Sequence, residues 1–265
     1  MDLYPYWKKQ LPSAPLFPDI EWSKPETRSQ SGKLGIIGGN RLGFAGVAEA
    51  YAIATKSGVG QVRVLLPDVL KKTMPKTITD TVYAPTNISG SLTKDAVTEM
   101  VSLGAWADEI LLIGDAGRSS ETAIAYEQFL QTYPGKLVVT RDAIDLVKNS
   151  AQVLVDRPNT LLIASFAQLQ KLFQAVYYPK VLTFSMQLTQ LVEALHKFTI
   201  SYPVSISVLH KDFLVIAHNG EVITTEWSNP MAIWRGDVAS KAAAYWLWNS
   251  SKPLEATATA IVAKN

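Results

Sequence analysis

Four glycines between an apolar run and an alanine-rich segment are the first residues of this chain that could do chemistry. They lie in KLGIIGGNRLGFAG, at Gly38, Gly39, Gly43 and Gly46. A strand, a glycine turn and the start of a helix together present outward-pointing backbone amides, which bind anions such as phosphate groups. The spacing matches neither the dinucleotide fingerprint G-x-G-x-x-G nor the Walker pattern. Close packing of a strand against a helix is therefore an equally good interpretation of this turn.

Cysteine and histidine offer little further chemistry. The chain has no cysteine, which excludes disulfides, thiolate catalysis and thiolate metal ligands. The histidines are His196, His210 and His218, and no pair of them has the spacing of a metal site. No Gly-x-Ser-x-Gly elbow accompanies them. We expect no metal site built from protein ligands.

Short apolar runs alternate with helical patterns from residue 33 onward, and these elements must position the glycines. The glycine turn follows a predicted strand over 34–37 and precedes a predicted helix over 44–57, which Gly58 would end. Further strands are predicted over 62–66, 110–113, 137–140 and 160–164, with helices near 119–132 and 166–177. This alternation is typical of a parallel sheet covered by helices on both faces.

The last third of the chain changes from this alternation to a meander. Strands are predicted over 204–208, 213–217 and 221–225, and His218-Asn219-Gly220 is a predicted hairpin turn between the last two. Two helices are predicted to follow, over about 236–249 and 253–264. The first is apolar nearly all round, as a central buried helix is. The sequence therefore predicts one α/β domain over 33–265, with an antiparallel meander at the edge of its sheet.

Residues 1–32 differ from this domain because they carry five prolines. Prolines at that density disfavour a helix, so we expect an extended arm that lies on the body or on another subunit. Tyr4, Tyr6 and Trp7 are expected to be exposed on this arm and to favour self-association. The segment lacks the apolar core of a signal peptide.

The composition disfavours several classes of protein. With 48% hydrophobic and 18% charged residues, the chain can bury a large core. The net charge is +2 and the basic residues are scattered, which does not favour nucleic-acid binding. No apolar stretch reaches the roughly 18–20 residues that a bilayer requires. We expect a cytoplasmic protein that binds neither nucleic acid nor membrane.

One segment resembles a known family. The stretch GKLGIIGGNRLGFAGVAEAYAIATKSGVGQVRVLLP is similar to the opening of the ADP- or ATP-dependent NAD(P)H-hydrate dehydratases. The counterparts of their glycine motifs are Gly38-Gly39-Asn40, Phe44-Ala45-Gly46-Val47 and Gly58-Val59-Gly60. The resemblance can be followed thinly to about residue 249. It implies a three-layer α/β/α ribokinase-like sandwich with a mostly parallel central sheet.

The resemblance also implies a substrate site, although several of its motifs have changed. The matching positions are Gly38, Gly39, Asn40, Gly46, Val47, Gly117, Asp142 and Ser165. Ser165 stands where the family has a substrate-contacting histidine, and Gln168 stands where it has a glutamate. Of the two carboxylates in the family's Asp-Ala-Asp-Ala-Leu motif, Asp142 remains and Thr140 replaces the other.

The resemblance also implies a nucleotide site, and its last positions lie at the start of the late apolar helix. Its matching positions are His210, Lys211, Arg235 and Gly236, followed by Asp237 as the catalytic base. Amides at a helix N-terminus stabilise a transferring phosphoryl group, and a carboxylate there can accept the proton of an attacking hydroxyl. Trp234 and Arg235 place bulk where the family has bare backbone, which would cost about 1–2 kcal/mol each if these positions needed a positive φ.

The function implied by the resemblance is repair of hydrated nicotinamide cofactors. ADP or ATP, accompanied by Mg²⁺, would phosphorylate the hydrate's hydroxyl, and elimination of the phosphate would return NADH or NADPH. The family also implies a homo-oligomer. The altered motifs leave two alternatives open: a catalytically silent, ligand-binding relative, and a small-molecule kinase of the same superfamily. A Rossmann-type dehydrogenase is the weakest alternative, because the glycine spacing is wrong for one, although Asp68 could contact a ribose.

Overall fold

The computed structural model describes residues 4–263, which form a single ten-stranded sheet with helices on both faces. The strands are β1 (Trp7–Gln10), β2 (Lys33–Gly38), β3 (Gln61–Pro67), β4 (Thr81–Ala84), β5 (Glu109–Gly114), β6 (Lys136–Thr140), β7 (Thr160–Ser165), β8 (Ser205–His210), β9 (Phe213–His218) and β10 (Glu221–Glu226). The helices are α1 (Asp19–Trp22), α2 (Ala45–Ser57), α3 (Val97–Trp106), α4 (Ser120–Thr132), α5 (Asp142–Leu146), α6 (Ala151–Asp156), α7 (Phe166–Ala175), α8 (Leu188–Ser201), α9 (Pro230–Arg235), α10 (Asp237–Trp248) and α11 (Pro253–Val262).

The sheet has the strand order β1-β10-β9-β8-β7-β6-β5-β2-β3-β4. Neighbouring strands pair in parallel except β9, which runs antiparallel to β8 and β10. The predicted mostly parallel sheet with an antiparallel edge meander is confirmed. At the predicted hairpin turn, Asn219 and Gly220 both have positive φ, at 46° and 81°, as a tight turn between twisted strands requires.

The strands are buried on both faces, which explains their continuous apolar runs. In β5, Ile110 and Leu112 pack against a layer that includes α3, α4, α7 and α8. Leu111 and Ile113 pack on the opposite face, against α2, α10 and α11. The late apolar helix α10 is therefore buried in the second layer, as predicted. No helix within residues 4–263 is both long and apolar enough to span a bilayer.

The proline-rich segment is bound to the body more closely than its composition suggests. Strand β1 pairs in parallel with β10, and Trp7 Nε1 donates to Thr224 Oγ1 at 2.9 Å. Tyr6 stacks on His196, with ring centroids 3.6 Å apart. The prediction that Tyr4, Tyr6 and Trp7 are exposed was wrong, because these side chains are half-buried against their own chain. The one-turn helix α1 also forms, since Pro18 precedes it where no amide donor is needed. The domain boundary at residue 32 stays a prediction.

Candidate functional site

The strands β2, β5, β6, β7 and β8 end on the same side of the sheet, which we call the carboxyl edge. Parallel strands bring the residues that follow them together, and ligands of open α/β sheets bind in the crevice beyond these ends. The residues that follow β2, β5 and β6 are the glycine turn, a second turn at 114–117, and Arg141 with Asp142. Most of the positions predicted from the resemblance therefore lie at this edge.

The first two glycines of the glycine turn bring the ends of β2 and β5 into contact. Gly39 has a φ of +82°, and its amide donates to the carbonyl of Gly114 at 2.8 Å. A Cβ at Gly38 would overlap the same carbonyl oxygen. These contacts give the two glycines a packing role between two strands, because any larger residue at Gly38 would overlap the end of β5.

The start of α2 binds a carboxylate from within the chain. Asp115, in the left-handed region at φ 56°, accepts the amide of Gly46 on Oδ2 at 2.6 Å. Its Oδ1 accepts from Arg141 Nη2 in an ion pair whose side chains are 18% and 20% exposed. A carboxylate at a helix N-terminus is stabilised by the helix dipole. Asp115 thus occupies a position where the resemblance implies a bound ligand.

The amides of the second turn are also bound internally. Asp142 accepts the amide of Asp115 on Oδ1 at 2.7 Å and the amide of Ala116 on Oδ2 at 3.0 Å. Burial raises the pKa of Asp142, while its two amide hydrogen bonds act in the opposite direction. Both oxygens of this predicted substrate residue are therefore engaged by the turn itself.

Arg141 fills the space between the starts of α2 and α10. It lies in the left-handed region at φ 56°, directly after β6. Its Nη1 is buried without a hydrogen-bond partner among residues 4–263, beside Gly46, where a Cβ would overlap it. Its Cδ lies 3.5 Å from the place a Cβ would take at Gly236. Neither Asp115 nor Arg141 was predicted as a site residue; the available signal was a pair of opposite charges directly after two neighbouring apolar runs.

The predicted catalytic base lies away from this cluster. Gly236, at φ +94°, ends α9 and begins α10. Asp237, Lys241 and Tyr245 follow at four-residue intervals and are half-buried, whereas Val238, Ala239 and Ser240 are buried. This spacing places Asp237 on the outward stripe of α10. Its side chain lines a groove on the outer surface, formed with α2 and α11.

The bulky residues before Gly236 are not strained. Trp234 and Arg235 belong to α9, and neither has a positive φ. The strain considered for these positions is therefore not present. Trp234 is 55% exposed and lines a hollow at the carboxyl edge, while Arg235 is exposed.

Two hollows flank the Asp115–Arg141 pair. The first hollow has a volume of about 680 Å³, and most of the residues that line it are polar. It is lined by Asn40, Leu42, Asn87, Ile88, Ser89, Ser91, Gly117, Arg118, Ser119, Ser120 and Glu121. The second hollow, of about 360 Å³, is mostly apolar and aromatic. It is lined by Ser165, Phe166, Ala167, Phe184, Leu209, His210, Lys211, Ile233 and Trp234.

The polar residues of the second hollow are largely bonded to their own chain. His210 Nε2 and Lys211 Nζ both bond to the carbonyl of Met186, at 2.9 and 3.1 Å. The His210 ring also stacks on Phe166 at 4.8 Å. Ser165 and Gln168 form a capping box that begins α7, which explains this pair where the family has histidine and glutamate.

The predicted positions therefore lie in six different places. Asn40 and Gly117 line the first hollow, and Ser165, His210 and Lys211 line the second. The buried turns between them contain Gly38, Gly39, Gly46, Asp142 and Gly236. Val47 is fully buried in the core, Arg235 is on the surface and Asp237 is in the outer groove. Within residues 4–263 the structure brings together no three His, Asp or Glu side chains that could hold a metal ion.

Comparisons with known proteins identify the fold. No family model and no curated protein matches the chain. It is similar to a solved ribokinase-like superfamily protein from Enterococcus faecalis, with a TM-score of 0.70 at 14% identity, over 97% of this chain and 86% of that one. The fold is ribokinase-like.

Two further ribokinase-like structures resemble it less closely. One is an ADP/ATP-dependent NAD(P)H-hydrate dehydratase from Bacillus subtilis, co-crystallised with ATP/Mg²⁺, with a TM-score of 0.58 at 13% identity, over 93% of this chain and 86% of that one. The other is a phosphomethylpyrimidine kinase from Clostridium difficile, with a TM-score of 0.54 at 10% identity, over 85% of this chain and 96% of that one. At these identities the similarity concerns the fold alone.

Proposed function

We propose that this chain is a metabolite-binding relative of the ribokinase-like enzymes that binds the ring of a nucleotide or nicotinamide compound without transferring a phosphate. The observation that carries this proposal is the use of Asp115 and Asp142 as internal anions. Between them they accept the amides of Gly46, Asp115 and Ala116, in turns where the resemblance implies ligand contacts.

A phosphate group would have to displace these carboxylates to enter the turns. A hydrogen bond to a charged group contributes about 1.5–3 kcal/mol, and Asp115 is held by Arg141 in addition to the amide of Gly46. A phosphate that entered the turns would also be repelled by the nearby carboxylates of Asp115 and Asp142. Both effects oppose a phosphate-binding role for these turns.

The position of Asp237 argues in the same direction. A general base must come within about 2.6–3.2 Å of the proton that it accepts, directly or through one water. The outer groove that Asp237 lines shares no lining residue with either hollow. A substrate confined to either hollow would therefore not lie against the side chain of Asp237.

The two hollows suggest which parts of a ligand would bind where. In the second hollow, the exposed rings of Phe184 and Trp234 offer faces on which a planar ring can stack. In the first hollow, several serine hydroxyls suit the hydroxyls of a ribose, whereas the side-chain amides of Asn40 and Asn87 are hydrogen-bonded within the chain. The volumes of the hollows, about 360 and 680 Å³, lie within the range of small-molecule sites.

The second candidate is the NAD(P)H-hydrate dehydratase itself, with ADP or ATP as phosphoryl donor. Two observations favour it: Gly236 and Asp237 begin a buried helix as in that family, and a similar fold has been co-crystallised with ATP/Mg²⁺. This candidate requires α10 or the side chain of Asp237 to turn toward the carboxyl edge. The expected homo-oligomer and cytoplasmic location accompany both candidates as predictions.

An activity assay paired with a binding assay tests the proposal. Purified protein is incubated with hydrated NADPH, Mg²⁺ and either ADP or ATP, and the absorbance of reduced nicotinamide is followed. We expect no recovery from the wild type or from Asp237→Asn. Recovery by the wild type that Asp237→Asn abolishes would overturn the proposal in favour of the dehydratase.

Calorimetric titration with NADPH and AMP supplies the binding half of this test. We expect binding of at least one compound that Trp234→Ala weakens about tenfold, because it removes one stacking face of the second hollow. Trp22→Ala is the matched control, since Trp22 is 84% exposed on α1 and lines neither hollow. If neither compound binds, or if Trp234→Ala and Trp22→Ala lose affinity equally, the result contradicts a ring-binding function.

A further inference from the structure

The outer groove is a second concave site, on the face of the molecule formed by α2, α10 and α11. Its volume is about 410 Å³. It is lined by Lys24, Ile53, Lys56, Ser57, Trp227, Asn229, Ala232, Asp237, Val238, Lys241, Tyr245, Ile261 and Ala263. A groove of this size accepts a small metabolite.

The charges of the groove are unbalanced. Lys24, Lys56 and Lys241 contribute three ammonium groups, and Asp237 contributes the one carboxylate of the lining. Within the described part of the chain, none of these lysines forms an ion pair or a side-chain hydrogen bond with another residue. The wall therefore carries an excess of two positive charges.

The lysines come from three separate segments and converge on one place. Lys56 lies in the last turn of α2, and Lys241 lies in the second turn of α10. Lys24 reaches in from the segment after α1, where its Nζ lies 5.4 Å from the centroid of the Trp248 ring. The proline-rich N-terminal segment thus contributes one of the three charges, which gives its attachment to the body a role in forming this groove.

The excess of positive charge in the groove affects the pKa of Lys241. It is half-buried, and burial lowers its pKa. Lys56 lowers that pKa further, while Asp237 opposes both effects. A bound anion would supply the missing countercharge and stabilise the ammonium form.

We infer that the outer groove binds a phosphate-bearing small molecule, with Lys24, Lys56 and Lys241 as the partners of its phosphate oxygens. Lysine binds phosphate as a compact point charge that needs no fixed orientation, which suits three flexible side chains around an open groove. The rings of Trp227 and Tyr245 line the same groove and can contact the rest of the ligand. Glu21 also lies close enough to Tyr245 to raise the pKa of its hydroxyl, so the anion belongs on the lysine side.

This site does not depend on the proposed ring-binding function. The groove shares no lining residue with the hollows at the carboxyl edge, and none of its lysines contacts the Asp115–Arg141 pair in the structure. Either proposal can therefore fail without the other.

Calorimetric titration with inorganic pyrophosphate at low salt tests the inference. We expect saturable binding to the wild type and at least about tenfold weaker binding to Lys56→Gln/Lys241→Gln, since two of three ammonium groups are removed. The charge-matched control is Lys76→Gln/Lys94→Gln, which removes two exposed lysines outside the groove. Trp234→Ala should bind pyrophosphate as the wild type does, which separates this site from the second hollow.

Two results would overturn the inference. Absence of saturable binding by the wild type excludes a pyrophosphate site, and equal weakening in both double variants shows a general effect of net charge. Circular dichroism of each variant confirms that the lysine substitutions leave the fold intact. Phosphate and AMP, titrated afterwards, separate a requirement for two adjacent phosphates from a preference for a nucleotide.

Discussion

An acidic and a basic side chain lie close together at each end of strands β5 and β6. The two pairs differ in the hydrogen bonds that their carboxylates accept. At the carboxyl end, Asp115 pairs with Arg141, and each Asp115 oxygen has a hydrogen-bond donor. At the amino end, Glu109 is fully buried, 3.7 Å from Lys136 Nζ, and neither of its carboxylate oxygens has a hydrogen-bond partner in the described residues. The donors of Lys136 instead point to the carbonyls of Trp246 and Leu247 and to a serine hydroxyl.

The contrast shows that the fold supplies hydrogen-bond donors to the carboxylates at the carboxyl end of these strands and none to Glu109 within the described residues. At the amino end, burial raises the pKa of Glu109 to about 8, although Lys136 acts to lower it. At the carboxyl end, burial also raises the pKa of Asp142, while its two backbone amides and the Arg141 guanidinium act to lower it. The carboxylates of Asp115 and Asp142 already accept the amides of these turns, which is what the proposed function requires.

The largest effect is expected from Asp115→Ala. This change leaves the Arg141 guanidinium without its carboxylate and the Gly46 amide without its acceptor, at a cost of about 3 kcal/mol in the free energy of unfolding. Urea denaturation measures it. The double variant Asp115→Ala/Arg141→Ala should cost less than the sum of the two single variants, because no unpaired charge remains. Additive losses would show that the pair does not act as a unit.

A smaller effect is expected from Asp142→Asn. The asparagine keeps one acceptor oxygen and places an amide donor against the amide of Asp115 or Ala116, so one hydrogen bond is lost. We expect a loss of about 1.5 kcal/mol in the free energy of unfolding. Asp95→Asn, at an exposed position in the short 3₁₀ turn Lys94–Ala96, is the control and should change stability little. Equal stability of the two variants would mean that the second turn does not need its internal anion.

At the amino end the expected signature is a pH dependence. The folded pKa of Glu109 lies near 8 and its unfolded value near 4.5, so the folded state holds the proton more tightly. Its contribution to stability is therefore fully present below about pH 4.5 and falls as the pH rises toward 8, by about 1.4 kcal/mol per pH unit at most.

Glu109→Gln removes this titration. Across pH 5 to 8, unfolding curves of the variant should gain stability relative to the wild type as the pH rises, and Glu26→Gln, at an exposed position in the N-terminal segment, should show no such trend. A wild type whose stability rises over this range relative to Glu109→Gln would show that Glu109 is ionised in the folded state.

The sequence predicted the framework of the molecule because its signals are local. The apolar runs of β2, β5, β6 and β7 and the Asn219-Gly220 turn depend on a few neighbouring residues. The half-buried strand β4 and the short helices α5 and α6 lack such a signal and were not predicted.

The candidate site was harder to predict because it depends on contacts between distant segments. The Asp115–Arg141 pair exists only because two non-glycine residues adopt positive φ after neighbouring strands, 26 residues apart in sequence. Asp237 was correctly placed at the start of a helix. The direction of its side chain, however, follows from which stripe of α10 packs against α2 and the sheet. Neither the contact between Asp115 and Arg141 nor the direction of the Asp237 side chain can be predicted from residue spacing within one segment.

The central claim is that the glycine turns are already occupied by the chain's own carboxylates, and the affinities of adenosine and ADP test it most directly. Both are titrated into Lys56→Gln/Lys241→Gln, so that the outer groove does not contribute. If internal anions occupy the turns, the two phosphates of ADP add little, and the dissociation constants should agree within about threefold. ADP binding about a hundredfold tighter than adenosine, a gain of about 2.7 kcal/mol, would place phosphate in the turns and contradict the account.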